Sequence, residues 1–318
     1  MAATAFPTNP VLTAIAVAYQ NPEAALIADK VLPRVPTAMK FSYTKYTVEQ
    51  GYTVPDTLVG RKSEPNMVEF SGEIVNDECS DYGLDDMIPN VEQDAYDSMP
   101  KPASGGPISP MNLSAMMLTG LVQLGREIRV ANTVFNAVNY SAANQSTLSG
   151  TSQWSDKANS DPVDALLAAI DSVLVRPNKM VIGQQAWTKL RQHPKIVQAV
   201  KDSAQGSGVV TLAGLAEILE LQEIIVGRGI YNLAKKGQAP NYARAWGKHC
   251  ALLNIDTLAA QTGQPTFGMT AQWGSKIGGS FYDPKVGLRG GTLIRVGESV
   301  KEVIISQDAG YFFQNCVV

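Results

Sequence analysis

The longest periodic pattern of apolar residues runs through 110–138, where they recur every three or four positions. The stripe comprises Leu113, Met117, Leu121, Leu124, Ile128, Ala131, Phe135 and Val138. This period predicts a helix of about 28 residues, or about 42 Å, with Ser109 as its cap and Pro110 in its first turn. Helices of this length are typical of a spine that other elements lie across. We expect the adjacent Met116 and Met117 to belong to the core.

A second pattern, with period two, predicts a β-hairpin within 41–80. Its return strand places Val68, Phe70 and Ile74 on one face and polar residues on the other. The outgoing strand, from Phe41 onward, alternates less cleanly. The neighbouring sequence predicts no core beneath this hairpin, and an isolated two-stranded hairpin is marginal in water. Its apolar face therefore needs a partner.

The other segments differ in type along the chain. Residues 1–40 contain short helical patches that end at prolines, which is typical of an arm lying along something else. The Pro- and Gly-rich stretch at 101–107 has the composition of a linker. Residues 161–262 alternate between helix and strand patterns, which predicts a compact α/β unit with a small mixed sheet. Residues 263–318 carry strand patterns separated by Gly-rich turns, which predicts long antiparallel ribbons.

The elements expected within the α/β unit can be placed individually. They are a helix opened by Asp161 and Pro162, a strand at 179–183, helices at 184–192 and 195–201, a helix capped by Thr211, and strands at 223–232 and 250–255.

Charge is unevenly distributed along the chain. The net charge of -3 argues against a general nucleic-acid binder, which is normally basic. Residues 1–99 hold 15 acidic and 6 basic residues, whereas residues 100–318 hold 14 acidic and 20 basic residues. The stretch 73–99 has nine acidic residues and no basic one. It is either a solvated acidic loop or a segment that docks on a basic surface, in the same chain or in a copy of it.

The residues that usually carry chemistry do not form a recognisable site. Cys79, Cys250 and Cys316 are widely spaced and lack metal-ligand spacing, which indicates reduced thiols in a cytoplasm. His193 precedes a proline and His249 stands at a strand start, so both are expected to be structural. We find no phosphate-binding loop, no metalloprotease motif, no secretion signal and no apolar run long enough for a membrane span. We therefore expect no enzyme activity, no cofactor, no metal and no membrane partner.

The order of these elements resembles the major capsid protein of tailed bacteriophages, whose fold is shared with encapsulins and the herpesvirus capsid floor. Three segments near the start of this chain are also similar in sequence to the N-terminal part of such proteins. They are NPVLTAIAVAYQNPEAALIADKVLPRVP, GYTVPDTLVGRKSEPNMVEF and DYGLDDMIP. The resemblance implies an α+β capsid fold with an N-terminal arm, extended loop, spine helix, α/β axial domain and long β-ribbon. The implied boundaries are 1–40 for the arm, 41–80 for the extended loop, 81–160 for the peripheral domain, 161–262 for the axial domain and 263–318 for a ribbon returning to the peripheral domain.

The resemblance also implies a function and a set of partners. The chain would assemble with itself into pentamers and hexamers of an icosahedral shell that encloses double-stranded DNA, contacted without sequence specificity. It would be found in the virion capsid after assembly in the host cytoplasm. Scaffold, portal and decoration proteins are further partners; because no long helical scaffolding segment opens this sequence, we expect a separate scaffold protein or none. Two alternatives stay open, namely an encapsulin-like shell around a cargo enzyme and an α/β enzyme.

On this view the hairpin is expected to lie on an adjacent subunit. The apolar face of Val68, Phe70 and Ile74 would cover that neighbour, because each large apolar side chain removed from water contributes about 1.5–3 kcal/mol. The tip residues Arg61 and Lys62 would reach acidic or polar groups there.

Overall fold

The computed structural model describes residues 25–46, 51–69, 72–99, 108–201, 208–235, 237–258 and 264–318. Arm residues 1–24, the linker at 101–107 and Phe70 lie outside this part of the chain. The helices are α1 (Ala28–Val31), α2 (Asn90–Asp97), α3 (Pro110–Val134), α4 (Pro162–Ser172), α5 (Gln184–Leu190), α6 (Pro194–Lys201) and α7 (Leu212–Ile218). The strands are β1 (Arg34–Thr37), β2 (Lys40–Tyr46), β3 (Gly72–Glu78), β4 (Ser80–Pro89), β5 (Gln145–Thr147), β6 (Lys179–Gly183), β7 (Glu223–Gly227), β8 (Ile230–Asn232), β9 (Tyr242–Arg244), β10 (Cys250–Leu253), β11 (Gly268–Asp283), β12 (Gly291–Ile304) and β13 (Gly310–Gln314).

The described strands form two larger sheets and two short ribbons. One sheet has the order β1-β11-β12-β4, and α3 packs across it through Leu118, which meets Ile88 and Ile294. The other sheet has the order β5-β13-β10-β6-β7 and forms the centre of an α/β lobe. The strand pairs β2-β3 and β8-β9 stand outside both sheets. The predicted α+β class, with an extended hairpin, a spine helix, an α/β unit and a β-ribbon, is confirmed.

Local signals placed most elements of the lobe correctly. Asp161 caps α4 by accepting from the amide of Asp164, and Thr211 caps α7 by accepting from the amide of Gly214. The strand predicted at 179–183 is β6, which is buried over nearly its whole length because it lies between β10 and β7.

Two expectations for the strands were wrong. The stretch 223–232 is not one strand: β7 ends at Gly227 inside the lobe sheet, and β8 begins at Ile230 in a separate exposed hairpin. The final strand does not extend the ribbon, because β13 pairs with β10 and β5 in the lobe. Its Phe312 and Phe313 are both buried, so the apolar end of the chain is used by the lobe core.

The spine helix forms as predicted, but it is rotated. Ser109 accepts from the amide of Asn112, Pro110 opens the helix, and the 25 residues of α3 end at Val134, four residues before the predicted end at 138. The buried residues of this helix are Ser114, Leu118, Arg126, Glu127, Val130, Ala131 and Val134. Contrary to expectation, Met116 and Met117 remain 45% and 44% exposed. Apolar residues cover a wide arc of this helix. The packing of the helix on β4 and β12 determines which side of that arc is buried.

Candidate assembly surfaces

The predicted hairpin forms, and its base is tied to the four-stranded sheet. Its return strand β3 begins only at Gly72, so Val68 lies in the loop and not on the strand where it was predicted. Strands β2 and β3 pair antiparallel in a register that places Tyr43 opposite Val75 and Thr44 opposite Ile74. Residues directly opposite each other share a face, so Ile74 points away from the face of Tyr43 and Val75. Below the hairpin, the Asp77 carboxylate lies 3.2 Å from the Lys301 ammonium of β12.

Within the loop between these strands, residues 51–69 are held by their own polar groups. The Asn66 side chain donates to the carbonyl of Asp56 at 2.9 Å, and Asp56 accepts from the amide of Leu58 at 2.9 Å. Near its start, the hydroxyl of Tyr52 donates to the carbonyl of Leu174 on the lobe at 3.3 Å. These contacts hold the loop in shape without burying its apolar side chains.

The predicted contact residues that fall within the described chain are all exposed. Arg61 and Lys62 are at the tip, where the amide of Ser63 donates to the carbonyl of Gly60 in a tight turn. Val68 is 52% exposed and Ile74 is 68% exposed. The loop also exposes Val54, Leu58 and Met67, which the sequence analysis did not single out. Phe70 lies outside the described residues, and the contact itself stays a prediction.

The acidic stretch docks mainly on its own chain. Asp85 accepts two hydrogen bonds from Arg295 of β12, at 2.8 and 2.7 Å, and Asp86 accepts from Ser114 of α3 at 2.6 Å. Consecutive side chains of β4 point to opposite faces, so one carboxylate holds the neighbouring strand and the other holds the spine helix. Asp77 and Asp85 thus pair with basic residues of β12, whereas Asp81 and Asp86 bind the hydroxyls of Ser299 and Ser114.

A buried carboxylate joins the arm, the spine helix and the lobe. Glu127 of α3 accepts from the backbone amides of Ile27 and Ala28 at 2.9 and 2.8 Å, and from the indole nitrogen of Trp246 at 2.5 Å. Burial raises the pKa of Glu127, whereas its three hydrogen bonds act in the opposite direction. The two amides belong to the start of α1, so a side chain from another helix supplies that short helix with its cap.

The neighbouring residue of the spine helix holds the same segment by charge. The buried guanidinium of Arg126 contacts the carboxylate of Asp29 and donates to the carbonyl of Leu32 at 3.2 Å. Asp29 also accepts from Arg34 at 2.7 Å, and Arg34 in turn pairs with the buried Glu298 at 2.8 Å. This ion-pair chain links the arm to both α3 and β12.

Sequence reasoning missed this junction. The residues GREIR at 125–129 bring charge into a helix that otherwise carries none. The adjacent charges of Arg126 and Glu127 were the signal from which the junction could have been predicted. A charged pair within a helix that is expected to be covered must be neutralised by partners. No pattern in the sequence indicates that those partners are Asp29 and the amides of Ile27 and Ala28.

The histidines and cysteines occupy structural positions. The Nε2 atom of His193 lies 3.1 Å from the hydroxyl of Ser160, and Nδ1 of His249 accepts from the amide of Asn315 at 3.1 Å. The three cysteines are free and buried, and burial raises the pKa of Cys250 and Cys316. Across the described ranges no three metal-binding side chains gather, and no helix there is long and apolar enough to cross a bilayer.

The buried His193 and the half-buried His249 predict a loss of stability in mild acid. Burial lowers the pKa of His193 and of His249 below 6.5. The unfolded chain therefore binds more protons than the folded one, and stability falls as the pH drops below 6.5. We expect the urea midpoint to fall between about pH 7.5 and 5.5, and to fall less in a His193→Gln, His249→Gln variant. An unchanged pH dependence in that variant would show that other groups are responsible.

Comparison with known proteins shows that this chain is similar to capsid proteins. The family model for phage major capsid protein E matches residues 114–234. The major capsid protein of Pseudomonas phage JBD67 is 47% identical over 313 residues, which cover 98% of each chain.

Solved structures show the same fold at low sequence identity. A phage-related protein from Bordetella bronchiseptica RB50 matches with a TM-score of 0.69 and 20% identity, covering 98% of this chain and 99% of its own. The SrpI encapsulin of Synechococcus elongatus PCC 7942 matches with a TM-score of 0.55 and 10% identity, covering 99% and 92%.

Proposed function

The chain belongs to the phage major capsid protein family, and from this premise we propose that it forms the pentamers and hexamers of an icosahedral shell around double-stranded DNA. The family is structural, and its place is the virion capsid. The proposal extends to assembly in the host cytoplasm, with scaffold, portal and decoration proteins as partners. In this shell, residues 81–160 form the peripheral domain and residues 161–262 the axial domain.

The exposed hairpin loop is the observation that supports self-assembly most directly. Large apolar side chains exposed together on a soluble protein often mark an interaction site. Here Val54 is 91% exposed and Met67 is 99% exposed, although the loop is fixed by Asp56 and Asn66. A surface that is ordered before binding loses little entropy on docking. We assign it to a neighbouring subunit, with the tip residues Arg61 and Lys62 reaching polar groups there.

A charge on the hairpin face tests this assignment. Ile74→Asp places a carboxylate in the proposed contact and should prevent shell formation, while the monomer keeps its circular dichroism and melting temperature because Ile74 is 68% exposed. Ile74→Val keeps the position apolar and should form shells. Phe70→Asp is expected to act in the same way as Ile74→Asp.

Electron microscopy and sedimentation velocity measure the outcome. Normal shells from Ile74→Asp would show that this face makes no contact. A monomer that unfolds would place Ile74 in an internal core. If the wild-type shells enclose an enzyme and no DNA, the encapsulin-like alternative replaces the capsid proposal.

A further inference from the structure

A small hairpin on the lobe carries basic side chains that form no ion pair within the described part of the chain. Between Glu223 and Asp256 the sequence contains no acidic residue, but it contains five basic ones. Those residues are Arg228, Lys235, Lys236, Arg244 and Lys248. Among the described residues, no carboxylate lies within ion-pair distance of Arg228, Lys235, Arg244 or Lys248, whereas Arg176 and Lys195 of the same lobe are both paired.

The hairpin is ordered although it is exposed. Strands β8 and β9 pair from Ile230–Arg244 to Asn232–Tyr242. The side chain of Asn232 accepts from the amides of Ala234 and Asn241, at 3.0 and 2.9 Å, and so holds the connecting loop. Order without burial indicates a surface that is shaped in advance for a partner.

The hairpin exposes apolar side chains beside its charges. Tyr242 is 71% exposed and Leu233 is 55% exposed. Phosphate groups of DNA are bound by cations and polar donors, which include the tyrosine hydroxyl, so contact with the DNA backbone would still leave Leu233 in water. Tyrosine and arginine are enriched in protein interfaces. The combination favours a protein surface that is acidic and partly apolar.

The same chain provides such a surface on α2. This helix has no buried residue, and it carries Glu92 and Asp94 without an ion-pair partner in the described part of the chain. Val91 on the same helix is 48% exposed. The remainder of the acidic stretch is largely paired through β3 and β4, so α2 is where its uncompensated charge is concentrated.

The two surfaces lie toward different ends of the spine helix. The strand that leads into α2 is held to Ser114 through Asp86. At the base of the basic hairpin, a Cβ on Gly229 would lie 3.5 Å from Cγ of Glu127. Thirteen residues separate Ser114 from Glu127, which is about 20 Å of helix. A contact between two different surfaces of identical subunits is heterologous, and such contacts form a ring when the rotation between neighbouring subunits closes.

We propose that the basic hairpin 228–248 of one subunit docks on helix α2 of a second copy, and that this contact helps to close the capsomer ring. The inference rests on the proposed function, since it names a contact within the shell. Arg228 and Lys235 provide the charge, Leu233 and Tyr242 provide apolar contact area, and Glu92 and Asp94 receive them.

Charge reversal on each side tests the contact. Arg228→Glu with Lys235→Glu, or Glu92→Lys with Asp94→Lys, should slow reassembly of dissociated subunits roughly tenfold, because like charges then face each other. The variant with all four changes should regain most of the lost rate. Lys276→Glu with Lys285→Glu is the matched control, since both lysines are exposed on the ribbon and the net charge changes equally. Light scattering follows the rate, and circular dichroism confirms folding.

Each result has a distinct meaning. If the fourfold variant assembles no faster than either twofold variant, the two surfaces do not meet and the inference is overturned. If the hairpin variant assembles normally but its subunits lose binding to sheared double-stranded DNA, the hairpin contacts DNA instead. If the wild type forms no shell, the proposed function itself is contradicted. If the charge-reversed variants form shells at the wild-type rate, only this inference is contradicted.

Discussion

Replacing Glu127 with alanine should destabilise the subunit by roughly 3–5 kcal/mol, which is typical when one partner of a buried charged network is removed. The variant leaves the amides of Ile27 and Ala28 and the indole of Trp246 without an acceptor. Each unsatisfied buried group costs about 1–3 kcal/mol. Urea unfolding followed by tryptophan fluorescence measures the change.

Two further variants sharpen this test. Glu127→Gln keeps one acceptor oxygen but points an amide donor at another donor, so an intermediate loss is expected. Asp171→Ala removes an exposed carboxylate from α4 and should change stability by less than about 0.5 kcal/mol. A loss below about 1 kcal/mol for Glu127→Ala would mean that water replaces the carboxylate and that the junction does not hold the arm.

Adding a single methyl group at Gly227 is expected to be still more damaging. A Cβ at this position would lie 2.1 Å from Cγ and 2.2 Å from Cδ1 of Trp246, whose side chain is fully buried. Such overlap forces the indole away from Glu127 or displaces β7. We expect Gly227→Ala to lose more than about 4 kcal/mol, or to yield no soluble protein.

A second glycine supplies the control for this substitution. A Cβ on Gly278 of the ribbon meets no atom within 4 Å, so Gly278→Ala should be nearly neutral. Soluble yield and the urea midpoint compare the two variants directly. Equal stability of the two would show that the lobe adjusts around Trp246 at little cost.

The sequence predicted what depends on nearby residues. Ser109, Asp161 and Thr211 cap helices at the expected positions because an N-cap bond joins residues two or three apart. The order of elements followed from the two hydrophobic periods. The capsid fold was expected because the order of elements and the sequence of the first segments resemble those of phage major capsid proteins.

Long-range partners account for what the sequence did not predict. The exposure of Met116 and Met117 was missed because β4 and β12 decide which edge of the apolar arc is covered. The position of β13 was missed because a run such as AGYFFQ fits a ribbon and a buried sheet equally well. Glu127 was missed because its partners are about a hundred residues away.

The parallel pairing of β1 with β11 has a consequence for synthesis. Arg34 lies opposite Thr270, and its guanidinium binds Glu298, which is 264 residues further along the chain. Strand β2 of the extended hairpin begins three residues after β1 ends, so the orientation of the hairpin depends on β11 and β12, which are translated long after it. A nascent chain therefore lacks a correctly placed hairpin until β11 and β12 have been translated. With the hairpin contact proposed above, this topology would delay association between incomplete chains, which are otherwise prone to misassembly at high local concentration.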